Sequence, residues 1–183
     1  MLVRLSRLLH SWATGRRVLI FLGALLLFMG VTVPLMDRLF PIGADLTSLD
    51  APVFYTAEQI FSVVEEWGDA GRTYELWLHV TWDVALPVLS FFVVGLSVSW
   101  LLRRGFPEES RLQRLNLLAL MPLFDLLENA ALITLIAVHP SQPVAIAWLK
   151  TIFTTLKFVM GIPLALTIVV GLVMAARNRF QPQ

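Results

Sequence analysis

The sequence predicts an all-α polytopic membrane protein. Four transmembrane helices form an antiparallel bundle, with an amphipathic external helix between spans 1 and 2. Three observations lead there. The 183-residue chain is 57% hydrophobic and only 15% charged, with a mean hydropathy of +0.76, whereas a soluble domain carries about 25% charged residues. Its apolar residues gather into four stretches, 18–36, 76–102, 115–138 and 144–176. Each reaches the roughly 20 residues a helix needs to cross the hydrocarbon core. The arginines are also segregated. Arg4, Arg7, Arg16 and Arg17 precede the first span, Arg103, Arg104, Arg111 and Arg114 separate the second from the third, and Arg177 and Arg179 follow the fourth. Segment 37–75 holds only Arg38 and Arg72, against eight acids. The positive-inside rule then predicts an inner-membrane protein with both termini cytoplasmic.

Each element has its own local reason. In residues 1–17, Leu2, Leu5, Leu8, Leu9 and Trp12 recur at helical spacing with Arg4, Arg7 and His10 between them, the pattern of a cytoplasmic interfacial helix. The span at 18–36 reads as an uncleaved anchor, because its apolar run is longer than a signal-peptide core and no small-x-small cleavage site follows. The spans and their connections, 18–176, form one expected domain, and 177–183 an expected cytoplasmic tail.

The external segment 37–75 is too long for a turn, and it contains a helix. Thr56 and Gln59 match a capping box. Ile60, Phe61, Val64 and Trp67 form an apolar stripe opposed by Glu58, Glu65 and Glu66, and Gly68 and Gly71 are expected to close it. Segment 103–114 is short and basic, and His139–Pro143 reads as a tight external turn. Such short links make successive spans antiparallel neighbours.

Each span carries one proline: Pro34, Pro87, Pro122 and Pro163. Proline removes a helical N–H and frees the carbonyl four residues earlier. Pro87 therefore frees the carbonyl of Asp83, which must find a partner inside the protein if the helix lies in lipid.

The stretch PLFDLLEN at 122–129 places acids in the middle of an apolar span. Asp125, Glu128 and Asn129 stand at i, i+3 and i+4 and share one helix face. In span 2, His79, Asp83 and Pro87 form an i, i+4, i+8 row. In span 4, Lys150, Thr154, Lys157 and Gly161 share a face. A charge at mid-bilayer costs at least ~2.5 kcal/mol, so the three stripes are expected to turn inward and meet. At 1.5 Å per residue, Asp83 falls roughly 10 Å below the outer end of its span, which puts the cluster in the centre and outer half of the bundle. Asp83, Asp125 and Glu128 are the candidate acid/base or cation-binding groups. His79, Asn129, Lys150, Thr154 and Lys157 are the candidate ligand contacts. Three carboxylates against two lysines leave a negative charge in low dielectric, which calls for a proton or a cationic ligand. The competing reading is a buried ion-pair network that sets helix register.

Several chemistries are excluded or unsupported. With no cysteine, thiolate nucleophiles, thiol–disulfide exchange and Cys-ligated metals are ruled out, and with them the four-helix quinone-linked thiol oxidoreductases. No paired Glu-x-x-His motif suggests a dimetal site. No nucleotide-binding loop or Ser-His-Asp arrangement is visible; the net charge of +1 says nothing about nucleic acid, and no nucleic-acid partner is expected. No metal or cofactor is expected. His79 and His139 could together ligate a bis-histidine haem, but His139 directly precedes Pro140 and reads as a helix-tip residue.

The run YTAEQIF, WGDAGRTYE, Asp83-x-x-x-Pro87, FDLLENAAL and Lys157, across roughly residues 55–160, resembles bacterial four-span membrane proteins of no established activity. The resemblance implies the topology and no chemistry. His79-x-x-x-Asp83 and the span-3 acids are also similar in kind to the sites of the sterol isomerase and sigma-2 receptor group, which implies an acid-lined site for a lipid-like ligand. Three functions are therefore open. The first is a buried polar pocket that binds or converts a hydrophobic or amphipathic small molecule or lipid. The second is a proton- or ion-coupled transporter. The third is an accessory subunit of a larger membrane complex. Membrane lipid, a lipid-like ligand, and a second copy or larger complex are the expected partners.

Overall fold

A computed structural model describes residues 1–51 and 54–180, with Asp37 and Ala44 described by backbone alone. The expected tail at 177–183 thus falls partly outside the described residues. The chain is all-α, with no strand among the described residues. Its helices are α1 (Leu2–Trp12), α2 (Gly15–Leu39), α3 (Ala57–Glu66), α4 (Gly68–Gly105), α5 (Met121–Ala137) and α6 (Val144–Phe180), with 3-10 turns at Pro41–Asp45 and Arg111–Leu120. Four segments are long and apolar enough to cross a membrane: Gly15–Met36, Gly68–Gly105, Arg111–Ala137 and Val144–Phe180. None of the apolar window of the first is buried by the rest of the chain. These segments mark a multi-pass integral membrane protein.

The residues fall into two compact units. One contains Leu27–Pro87 and Pro122–Phe158; the other contains Met1–Leu26, Val88–Met121 and the chain from Val159 on.

In the first unit, α3 begins as expected. Thr56 Oγ1 accepts from the Gln59 N–H at 3.3 Å, and Gln59 Oε1 accepts from the Thr56 N–H at 2.8 Å. Each satisfies an N–H that the first turn would leave orphaned. The α3 stripe is buried: Ile60, Val64 and Trp67 pack with Leu49, Leu132, Leu135, Ile136 and Ala147 into one core cluster. The Trp67 indole donates to the Thr47 carbonyl at 3.0 Å.

Gly68 ends the helix at φ +60°, a backbone conformation open to glycine at little cost. α4 starts there, eight residues before the expected span at 76, so Gly71 lies inside α4 rather than closing α3. Asp69 in the first turn suits the positive end of the helix.

In the second unit, Ser6 and Leu9 of α1 are buried, while Leu2, Leu8 and Trp12 stay exposed. The expected third span changes character within its length. Residues 111–120 form 3-10 turns, and the α-helix begins only at Met121. Pro122, which has no N–H to give, suits the first turn of an α-helix rather than its interior. Buried Gln113 and Asn116 hold the 3-10 stretch. The Gln113 amide lies 3.1–3.2 Å from the carbonyls of Leu102 in the last turn of α4 and of Phe106 and Pro107 just past it. Asn116 accepts from the Ser6 hydroxyl at 2.7 Å, and its amide donates to the Ser6 carbonyl and Ser99 hydroxyl at 2.9 and 3.0 Å.

Candidate functional site

The first unit brings together the three predicted stripes. On α4, Gly71, Glu75, His79, Asp83 and Pro87 are all buried, a continuous i+4 ridge. It extends the expected row of His79, Asp83 and Pro87 by one acid. On α5, Glu128 and Asn129 are buried and Asp125 is half-buried. On α6, Lys150 and Thr154 are buried, and Lys157 is 14% exposed.

The lysine side is tightly paired. Lys150 Nζ lies 2.8 Å from Glu128 Oε1, donates to Thr154 Oγ1 at 3.1 Å, and donates to the carbonyl of Leu49. An ammonium has three N–H groups, and the protein takes all of them. The Thr154 hydroxyl has Glu128 Oε1 at 2.7 Å and the Lys150 carbonyl at 2.9 Å as acceptors for its single proton. Lys157 sits between two acids, 2.8 Å from Asp125 Oδ1 and 2.7 Å from Glu128 Oε2, with Asp50 Oδ1 at 3.8 Å.

The histidine side is not paired this way. His79 Nδ1 is 2.8 Å from the Glu75 carbonyl and 3.4 Å from Glu75 Oε2. A carbonyl can only accept, so that contact places the ring proton on Nδ1. His79 Nε2 lies 3.3 Å from Asp83 Oδ2 and 4.0 Å from Asp50 Oδ2, yet it makes no hydrogen bond. Asp50 Oδ1 is likewise buried without one.

The carbonyl that Pro87 frees has found its partner: Asn129 Nδ2 donates to the Asp83 carbonyl at 2.7 Å. That bond ties α5 to α4 at the acid-bearing turn. All eight singled-out residues therefore lie in one contiguous cluster.

Asp50 and Glu75 are two members that sequence reasoning missed. Extending the ridge by one turn would have found Glu75, which had been assigned to the connection at 37–75. Asp50 lies in an irregular segment with no period to project. It is carried in by its neighbour Leu49, whose carbonyl Lys150 holds and whose side chain is 2% exposed. With these two included, five carboxylates face two lysines and one histidine. Exposure falls from 35% at Asp50 and 25% at Asp125 to 10% at Asp83 and zero at Glu128, so the cluster opens at its Asp50–Asp125 edge and closes at Glu128.

Outside the cluster, His139 pairs with Glu65 at 2.7 Å near the exposed end of α3, which fits the helix-tip reading. The hydrogen bond and charge of His139 hold the Glu65 carboxyl below its ordinary range. Trp82 donates its indole N–H to Thr32 of α2 at 2.7 Å. In the other unit, an open depression of about 320 Å³ is lined by His10, Ser11, Arg103, Glu108 and Gln113.

Compared with known proteins, the sequence matches no family model, and neither the curated proteins nor the solved structures include a match to it.

Proposed function

We propose that this multi-pass membrane protein takes up a cationic species at the acid-rich cluster on α4, α5 and α6, as the binding step of a proton- or cation-coupled carrier. One observation carries the reading: five clustered carboxylates against two lysines, with the unpaired excess gathered around His79. Buried charges are stable only when paired, and an ion-pair network serving structure alone needs no surplus of one sign. The graded exposure from Asp50 to Glu128 supplies an entry edge and a closed end. Lys157, 2.7–2.8 Å from Asp125 and Glu128 and 3.8 Å from Asp50, supplies the counter-charge nearest the open edge. In this reading the acids lie within the membrane, where ionisable groups mark ion pathways and proton relays.

The test is proton and cation uptake by proteoliposomes containing the purified chain. Dye-reported uptake above empty vesicles, lost in Asp83→Asn, supports a carrier. Uptake equal to that of empty vesicles under every imposed gradient contradicts it. An amphipathic amine could satisfy the same carboxylates through its charged head. It would compete with the inorganic cation for binding in detergent without itself producing charge movement.

The orientation belongs to the same proposal: termini cytoplasmic, 37–75 and 139–143 outside, on ten arginines against two. An impermeant thiol reagent on intact cells should label Ser48→Cys and spare Gln181→Cys. The opposite pattern would invert the topology.

A further inference from the structure

We propose that Asp50, His79 and Asp83 form a binding site for a divalent transition-metal ion of the zinc type. This rests on the reading of the cluster as a cation site and names the cation.

Three donor atoms, one from each residue, lie within 4.8 Å of one another. Zinc binds imidazole nitrogen and carboxylate oxygen at 2.0–2.2 Å, so tetrahedral donors stand about 3.3–3.6 Å apart. His79 Nε2 and Asp83 Oδ2, at 3.3 Å, already have that spacing. Asp50 Oδ2, at 4.0 Å from Nε2, needs to close on it by about half an ångström and on the Asp83 donor by about one ångström at most, and it belongs to a partly exposed residue in an irregular segment.

The histidine supplies an independent argument. Its side chain is 3% exposed. With Nδ1 donating to the Glu75 carbonyl, a neutral ring turns the lone pair of Nε2 toward two carboxylates. Lone pairs facing anions repel, and a buried Nε2 without a hydrogen bond is costly. An imidazolium would relieve the repulsion, but its N–H should then point at a carboxylate oxygen at about 2.7–2.9 Å, and no such bond exists. A metal ion removes both difficulties, because the carboxylates surround Nε2 as ligands surround a shared centre. The carbonyl on Nδ1 is also the outer contact that metal-binding histidines use to fix their tautomer and ring orientation.

Charge points the same way. Two carboxylates and a neutral imidazole balance one dication. Five acids with two lysines leave three negative charges, and a dication reduces that to one. The mixed nitrogen and oxygen donor set suits zinc, manganese or iron(II) better than calcium or magnesium, which favour all-oxygen sites. Three protein donors leave a coordination position for water or another ligand.

The test uses the tag-free full-length chain in detergent, stripped of metal and dialysed against zinc, with bound metal measured per chain. The expected result is one zinc per chain at micromolar free metal. Affinity should fall at least tenfold in His79→Gln and in Asp50→Asn, and stay unchanged in His139→Gln. Asp50→Asn guards against misfolding, because Asp50 is the most exposed of the three ligands. Cobalt(II) added to the unmodified chain should give the visible absorption of a low-symmetry nitrogen–oxygen site and should be displaced by zinc. Absent zinc binding, or binding that survives His79→Gln and Asp50→Asn, overturns the site. Absent zinc binding with cation or proton uptake still present would sink the metal alone, whereas loss of both would sink the cation reading as well.

Discussion

Two buried polar centres in this chain contrast sharply. Around Asn116 everything is neutral. Its oxygen accepts from Ser6 and its amide donates to the Ser6 carbonyl and the Ser99 hydroxyl, all within 3.0 Å. Asn116 itself is fully buried with no polar atom left over. Around Glu128 and His79 the groups are charged. Lys150 is saturated and Lys157 is held by two carboxylates, yet His79 Nε2 and Asp50 Oδ1 have no hydrogen bond, and acids outnumber cations. The neutral centre shows what this chain builds when a polar network only has to hold elements in register: both polar atoms of Asn116 find partners and no charge is left over, although the Oε1 of neighbouring Gln113 is buried without a hydrogen bond. The charged centre stays incomplete without a further positive species, which is the signature of a site rather than a staple.

The largest effect should come from breaking the most buried pair. Lys150→Met leaves fully buried Glu128 with Lys157 as its one remaining cation and Thr154 alone on Oε1, and breaking a buried ion pair costs up to about 3–5 kcal/mol. Adding Glu128→Leu should recover most of that, because Lys157 keeps Asp125. Thermal unfolding in detergent, read as a double-mutant cycle, checks it, and strictly additive losses would mean the pair does not couple.

Next come the two asparagines. Asn116→Leu leaves Ser6 and Ser99 groups buried without partners and should cost about 1–3 kcal/mol. Asn129→Leu should cost a similar amount by orphaning the Asp83 carbonyl. Here Pro87→Ala should offset the loss by restoring the N–H that this carbonyl lacks. If the Asn129 loss persists unchanged in the Pro87→Ala background, the freed-carbonyl account fails.

Thr56→Ala removes half of the capping box and should cost about 1 kcal/mol, measurable as a lowered unfolding midpoint with unchanged cation uptake. The smallest effect belongs to Glu65 and His139. Glu65 has a lowered folded-state pKa, so its contact stabilises above the unfolded carboxylate pKa and is lost as pH falls through the lowered folded value. Midpoints of the native chain and Glu65→Gln should therefore differ near neutrality and converge in acid, below the ordinary carboxylate value of 4.5. Parallel curves down to the lowest pH would dissociate that contact from stability.

Periodic features were legible in the sequence. Apolar length located the four spans, Thr56 and Gln59 located the start of α3, and i+4 spacing placed His79, Asp83, Asp125, Glu128, Asn129, Lys150, Thr154 and Lys157 on faces that meet. The chemistry of proline even indicated which carbonyl would need a partner. Features fixed by long-range contacts were not legible. Asp50 enters the cluster because Lys150 grips the carbonyl beside it, 101 residues away. The Ser6–Asn116 bond spans 110 residues. The 3-10 character of 111–120 depends on Gln113 and Asn116 being buried, which an apolar profile does not register. Glu75 was readable but was assigned to the wrong element, because apolarity begins at Leu76 while the helix begins at Gly68.

The contrast between the two centres can be settled by measuring cation uptake per folded protein together with the unfolding midpoint, in matched proteoliposome and detergent samples of Asp83→Asn and Asn116→Leu. The account predicts opposite splits. Asn116→Leu loses stability and keeps its uptake, whereas Asp83→Asn holds its midpoint or gains, since one surplus negative charge is gone, and loses uptake. If uptake in both variants simply follows the midpoint, the acid cluster is a structural network like the one around Asn116, and the cation-site account is wrong.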